Sequence, residues 1–232
     1  MAIHYATYAT HDSGMFKELV NNPYNLDITV LGWGAKWNGY MDKIRAVSEY
    51  ISKLPRDDVV CVLDGFDTFI QRDPKDVLRI FKRFNAKVVI SKDRPIEFII
   101  AKYFARRVFG GDENGNVLNA GMYMGYVSEL QKMFKLVLRE RTEDDQRAIN
   151  SVSKYLDIKI DTDFRLFYNS RSECDKNERS IFVSYPGAVN ENFTGRVKRI
   201  YRGFGEYLPY LIPETTAIIM VIVIFVIWLK RR

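Results

Sequence analysis

The chain has little of what builds covalent staples or soft-metal sites: its 232 residues hold two cysteines, Cys61 and Cys174, and two histidines, His4 and His11. The cysteines show no metal-ligand spacing, and nothing in their number calls for an oxidising compartment. There is no internal repeat and no low-complexity tract, which argues against a solenoid or a compositional linker. The net charge of +6 comes without a basic stripe of interleaved aromatics, so a nucleic-acid groove is not expected. The opening MAIHYATYATHDSG lacks the charged and apolar regions of a secretory leader. What is present is 47% hydrophobic and 14% aromatic, which excludes a disordered chain. The length suits one sizeable α/β domain with an appendage.

The most informative stretch is VLDGFDTFI, residues 62–70. Val59, Val60, Cys61, Val62 and Leu63 form an apolar run that reads as a strand buried on both faces of a sheet. It ends in two carboxylates three apart, Asp64 and Asp67. Desolvating such groups costs several kcal/mol unless a cation compensates. Ligands of open α/β sheets collect at the carboxyl ends of the strands. The pair therefore stands where a hard divalent cation and a phosphate group can be held together. Its structural alternative is a helix cap at Asp67 beside a solvated Asp64. Cys61, inside the strand, reads as a small inert hydrophobe.

Strand patterns over Ile3–Thr7, Asp27–Leu31, Val59–Leu63, Lys87–Ile90 and Val117–Tyr126 alternate with helical ones. The helices are expected at Asp12–Asn21 (capped by Asp12 or Ser13), Met41–Leu54, Lys75–Phe84, Ile96–Val108, Glu129–Arg139 and Asp144–Val152. Pro74 sits at a helix start, where its missing N–H is harmless. Short strands follow near Ile158–Ile160 and Ile181–Ser184. This rhythm predicts an α/β fold with repeated βαβ units and a mostly parallel central sheet.

The far end of the chain differs. Ala217–Leu229 is thirteen apolar residues, and Thr215 and Thr216 extend it to roughly 22 Å as a helix, short of a ~30 Å hydrocarbon core. It is apolar on every face, ends the chain and carries Lys230, Arg231 and Arg232, so it is expected to be a single-pass tail anchor in membrane lipid. Its short span suits a thin bilayer such as the endoplasmic reticulum's, with neither face assigned. Arg196, Lys198, Arg199 and Arg202 lie in a basic juxtamembrane stretch that also holds the sequon Asn192-Phe193-Thr194.

Four features are expected at loop positions after strands, on one rim of the sheet: Thr7–Thr10, the GWGAKWNGY loop with Trp37, the Asp64/Asp67 pair, and LNAG over Leu118–Gly121, with EDDQ over Glu143–Gln146 coming after the next helix. A carboxylate pair holding a cation neutralises a leaving diphosphate, Phe66 can pack on a base ring, and Asn119 and Asp145 carry groups that bond sugar hydroxyls. Structural readings exist for each singly. Trp37 can cover a sheet edge, Asn119 and Gly121 can serve a tight turn or bulge, and Asp144 and Asp145 can start a helix. His11 is assigned no role.

ATYAT, GWGxxW with Lys43 following, VLDGFDTFI, LNAGMYMGY and EDDQ together resemble the glycosyltransferase domain of the procollagen lysyl hydroxylase and collagen galactosyl- and glucosyltransferase group, over about Ile3–Val189. The resemblance implies a GT-A fold over 1–189, a UDP-sugar donor and Mn²⁺ or Mg²⁺. By it, Asp64 and Asp67 match the metal- and diphosphate-binding acids, and Phe66 the ring that stacks on uracil. Thr7, Ala9, Thr10, Trp37 and Lys43 border the donor. Asn119, Asp144, Asp145 and Gln146 surround the transferred sugar and the acceptor, with Asp145 nearest the reacting centre. The family completes its metal shell with a histidine in a V-H-G-N-G-like segment, where this chain has Val183, Ser184, Tyr185, Pro186 and Gly187.

The expected organisation is a transferase domain over 1–189, a linker over 190–213 and an anchor over 214–232. The expected activity is transfer of glucose or galactose to a hydroxyl on a protein, glycan or lipid acceptor. Its rival is a degenerate transferase fold kept as a membrane-bound binding or scaffold protein. A phosphatase-type reading of LDGFD lacks the DxDx(T/V) pattern and ranks last.

Overall fold

The computed structural model describes residues 1–93, 103, 106–112, 114–170, 177–185, 216 and 220. The chain divides into two compact units, one of Met1–Pro95 with Phe109–Asn190 and one of Ile96–Val108 with Glu191–Arg232. The expected tail anchor, the basic linker, the sequon and Cys174 lie outside the described residues, apart from Thr216 and Met220, which are helical. Most of the helix expected over Ile96–Val108 lies outside them too. Among the described residues no helix is long and apolar enough to cross a membrane.

In the first unit, β1 (Ile3–Tyr8), β2 (Ile28–Leu31), β3 (Val59–Asp64), β5 (Val88–Lys92), β6 (Leu118–Tyr126) and β7 (Ile158–Asp161) form a six-stranded sheet ordered β2-β1-β3-β6-β5-β7. Every strand runs in one direction except β6, which is antiparallel to both β3 and β5. A second sheet of three short strands is ordered β4 (Thr68–Ile70), β9 (Phe182–Ser184), β8 (Phe167–Asn169). The mixed, mostly parallel α/β class is as expected. The strands β4 and β8 are additions: at three residues each they are too short to show a period.

The sheet is covered on both faces. Val60, Val62, Val88 and Ile90 pack with α2 (Met41–Ile51), α4 (Val127–Val137) and α5 (Asp145–Ser153). Val59, Cys61, Leu63 and Val89 face the other way, onto Leu19 of α1 (Phe16–Val20), Val77 and Phe81 of α3 (Val77–Arg83), and Phe167 and Phe182 of the small sheet. Alternate residues of β3 thus serve two separate cores, which is why its sequence reads as one unbroken apolar run. Burial pushes the Cys61 thiol up, keeping it protonated and inert.

Two local expectations are corrected. Helix α1 begins at Phe16 with Met15 as its N-cap, not at Asp12 or Ser13. Gly14 sits at φ +56, where an added Cβ would collide with Phe66 O, and the Met15 N–H donates to that carbonyl at 2.9 Å. A left-handed residue cannot continue a helix, so residues 11–14 stay a loop. LNAG does not follow a strand but opens one. Because β6 runs backwards, its first residues reach the same rim as the carboxyl ends of its parallel neighbours. Pro74 behaves as read, opening a short 3₁₀ turn (Pro74–Asp76) capped by Asp73, which accepts from the Lys75 N–H.

Candidate functional site

The carboxyl ends of β1, β2 and β3 open on a pocket of about 410 Å³ lined by Tyr8, Thr10, His11, Ser13, Trp37, Tyr40, Lys43, Asp64, Phe66, Asp67 and Asp145. Its size lies in the range of small-molecule sites. The turn that carries Asp64 and Asp67 is shaped by Gly65. A Cβ there would lie 2.7 Å from Tyr8 O and 3.0 Å from Thr7 Oγ1, so only glycine lets the turn fold against the end of β1.

One wall is aromatic. His11 packs on Phe66 with ring centroids 5.2 Å apart, and Trp37 contacts Tyr8 at 5.9 Å and, edge-on, Tyr40 at 5.7 Å. Trp37 and Tyr40 stay 44% and 49% exposed, which leaves ring surface for a planar guest. Neither Tyr8 nor Tyr40 was singled out from the sequence, although both lie within motifs that were. His11, given no role there, lines the pocket and bonds Thr10 Oγ1 through Nδ1 at 2.9 Å.

The opposite end is charged and buried. Lys43 Nζ lies 2.9 Å from Asp145 Oδ2 and 3.9 Å from Asp64 Oδ2, and donates to Ala120 O at 3.1 Å. Burial alone would depress the Lys43 ammonium, but the carboxylates of Asp145 and Asp64 outweigh it and hold it above the ordinary lysine range. Burial pushes the Asp145 carboxyl up, and Lys43 opposes that shift. Two carboxylates and one carbonyl thus surround the ammonium.

Asp67 is gripped from the small sheet. Its Oδ1 accepts from Ser184 Oγ at 3.0 Å and Thr68 Oγ1 at 3.4 Å, while its main-chain carbonyl accepts from the Tyr185 N–H at 2.8 Å.

Asn119 and Gln146 meet beside this pocket. Asn119 Nδ2 donates to Gln146 Oε1 at 3.1 Å, and Asp93 accepts from both amides at 3.4 Å. Asn119 Oδ1 takes the Gly121 N–H at 2.8 Å, closing a bulge where Ile90 pairs Tyr123 but Ser91 already pairs Asn119. The extra residues send both Ala120 and Tyr123 to the same face of the sheet and bring Ala120 O over Lys43. Asn150 brings α5 to this bulge: its amide exchanges two bonds with the backbone of Leu118, at 3.3 and 3.1 Å. Asp93 and Asn150 escaped sequence reading because each acts through a partner at least 26 residues away.

Five expected site residues lie outside the pocket lining: Asn119 and Gln146, beside it, and Thr7, Ala9 and Asp144. Thr7 is fully buried, and its hydroxyl donates to Leu63 O at 2.8 Å. Ala9 is equally buried and pairs with Leu31 O. Asp144 caps α5 by accepting the Arg147 N–H at 2.8 Å. Among the described residues no three His, Cys, Asp or Glu side chains cluster as a ligand set for a metal. Asp64 and Asp67 open on one pocket with carboxylate oxygens only, a donor set that fits a hard cation completing its shell with phosphate oxygens and water.

These features define an open α/β domain whose ligand site lies at the carboxyl ends of its parallel strands. Comparison with known proteins narrows this further. A family model described as the PLOD GT domain matches residues 2–196, and the chain belongs to that family. It is 28% identical over 191 residues to the multifunctional procollagen lysine hydroxylase and glycosyltransferase of Caenorhabditis elegans, covering 75% of this chain and 25% of that protein. It is 23% identical over 235 residues to human procollagen-lysine,2-oxoglutarate 5-dioxygenase 2, covering 88% of this chain and 31% of the relative. Uncharacterized protein R699 of Acanthamoeba polyphaga mimivirus is 26% identical over 180 residues, 70% of this chain and 38% of the relative. The chain thus spans well under half the length of these curated relatives, and the part it matches is of glycosyltransferase type.

Proposed function

We propose that the domain has a GT-A fold and transfers a hexose, glucose or galactose, from a UDP-sugar to a hydroxyl acceptor such as a hydroxylysine-bearing protein. The observation that carries this reading is the meeting of aromatic surface and paired carboxylates in one pocket with the buried Lys43–Asp145 pair. A uracil ring fits the wall made by Phe66, His11 and Trp37. Asp64 and Asp67 would hold a divalent cation, Mn²⁺ or Mg²⁺, which when bound supplies positive charge against the departing diphosphate. Lys43 neutralises Asp145, so that this carboxylate meets the sugar as part of a preorganised ion pair. Asn119 and Gln146, their amides oriented by Asp93, present fixed donors and acceptors to hydroxyls. Burial of the charged end keeps water from competing with the acceptor. The apolar run Ala217–Leu229 would tether the domain to a membrane, a proposal resting on its composition.

The test is UDP release by the purified chain with UDP-glucose or UDP-galactose, Mn²⁺ and a panel of hydroxyl acceptors, with product mass spectrometry. Turnover together with metal-dependent UDP binding supports the reading. A folded protein that neither turns over nor binds UDP by calorimetry is the result the scaffold alternative requires. For the tether, flotation of the full chain with liposomes, lost when residues 214–232 are deleted, is the expected result.

A further inference from the structure

We infer that Ser184 is a positioning residue for the cation: its hydroxyl fixes the plane of the Asp67 carboxylate and thereby sets the affinity of the site for a divalent metal. This deepens the reading above and rests on it.

An aspartate carboxylate rotates easily about its last torsion, which is broad and nearly two-fold. A carboxylate that shares a cation with diphosphate must nevertheless be placed to within about half an ångström. At Asp64 the constraint comes from the end of β3, in the large sheet, and from Lys43 of α2 at 3.9 Å. Asp67 lies past the strand, in the turn after Gly65, and is held by the small sheet. Ser184 is 1% exposed, 117 residues away in sequence and directly paired with Thr68 across β4 and β9. Its hydroxyl donates to Oδ1 at 3.0 Å, and Thr68 adds a longer bond to the same oxygen. The next residue, Tyr185, clamps the Asp67 main chain at 2.8 Å. The last residue of β9 and the residue just after it therefore hold both the carboxylate and the backbone of a single aspartate. A hydroxyl bonded to a carboxylate is a charge-assisted contact, among the stronger ones available. Partners that orient ligating groups typically contribute 10–100-fold in metal affinity.

The experiment measures Mn²⁺ affinity in the full chain at saturating UDP, by electron paramagnetic resonance of free Mn²⁺, for wild type, Ser184→Ala, Ser184→Thr and Thr68→Val. Ser184→Ala is expected to weaken Mn²⁺ binding about tenfold. Ser184→Thr, which keeps the hydroxyl, should recover most of that loss, and Thr68→Val should cost less than Ser184→Ala. UDP affinity measured without metal should stay within twofold. A Ser184→Ala chain with wild-type Mn²⁺ affinity, whether or not its melting temperature falls, overturns the proposal and leaves the transferase reading standing. A wild-type chain that takes up neither Mn²⁺ nor UDP overturns both.

Discussion

The two halves of the pocket are built by opposite means. The half formed by β1, β2 and β3 is a run of parallel strands, and its chemistry sits at the end of β3, with Asp64, and on the loops that follow the strands, with Thr10, Trp37, Phe66 and Asp67. The half formed by β6 and α5 depends on a reversed strand, a bulge at Asn119 to Gly121, and a helix pinned to that bulge by Asn150. Its polar groups are buried or half-buried and bonded to one another, whereas Trp37 and Tyr40 of the aromatic wall are exposed. The contrast fits a division of labour between a side that accepts a ring and a side that fixes charges. Lys43, rising from α2 to reach Asp145, Asp64 and Ala120 O, ties the halves together.

That tie is the place to break the comparison. Lys43→Met should destabilise the domain by about 3–5 kcal/mol, because Asp145 is left as an uncompensated buried charge. Urea unfolding monitored by circular dichroism reads it, and Lys43→Met with Asp145→Asn should recover much of the loss. A cost under 1 kcal/mol would mean that the halves are independent. On the β6–α5 side, Asn150→Ala should cost about 2 kcal/mol by unpairing the Leu118 backbone, and should lower turnover more than donor affinity. An unchanged turnover in a stable variant would detach the bulge from the chemistry.

On the ring-accepting side, Phe66→Ala should weaken UDP binding about fivefold by calorimetry, with stability nearly unchanged, since stacking contributes about 1 kcal/mol. A smaller effect on UDP binding comes from Thr7→Val, which removes the buried bond to Leu63 O. Stability should fall by about 1 kcal/mol with UDP affinity within twofold, separating a residue behind the pocket from those lining it. The last effect lies far from either half. The bonds that Asp58 accepts from His4 and the Ala2 N–H hold its carboxyl below the ordinary range. A folded-state value below the unfolded one means that this stabilisation is present above the ordinary carboxylate range and is lost as pH falls through the folded value. Asp58→Asn should therefore be less stable than wild type at pH 7 and converge with it in acid, as thermal melts across pH would show.

How much of this was legible depended on sequence distance. VVCVLD announced a doubly buried strand because both faces of β3 are covered, and DGFD announced its loop because acids rarely end such a strand without a ligand. Trp37, Asp64, Phe66, Asp67 and Asp145 could be nominated from motif position and do line one pocket. Thr7 and Ala9 belong to the same motif but point their function inward, since period-two alternation places neighbouring strand residues on opposite faces. The cap expected at Asp12 or Ser13 failed because Phe66, far along the chain, occupies the space in front of Gly14.

The sequence alone determined the α/β class, the buried central strand and the types of group available for chemistry, because apolar periodicity and strand-end carboxylates are local signals. Only the tertiary structure decided which of those groups meet. The reversal of β6, the bulge that aims Ala120 O at Lys43, and the hydroxyl of Ser184 on Asp67 each join residues dozens of positions apart. Their energies come from desolvation and hydrogen bonding in the packed interior, which no local pattern records.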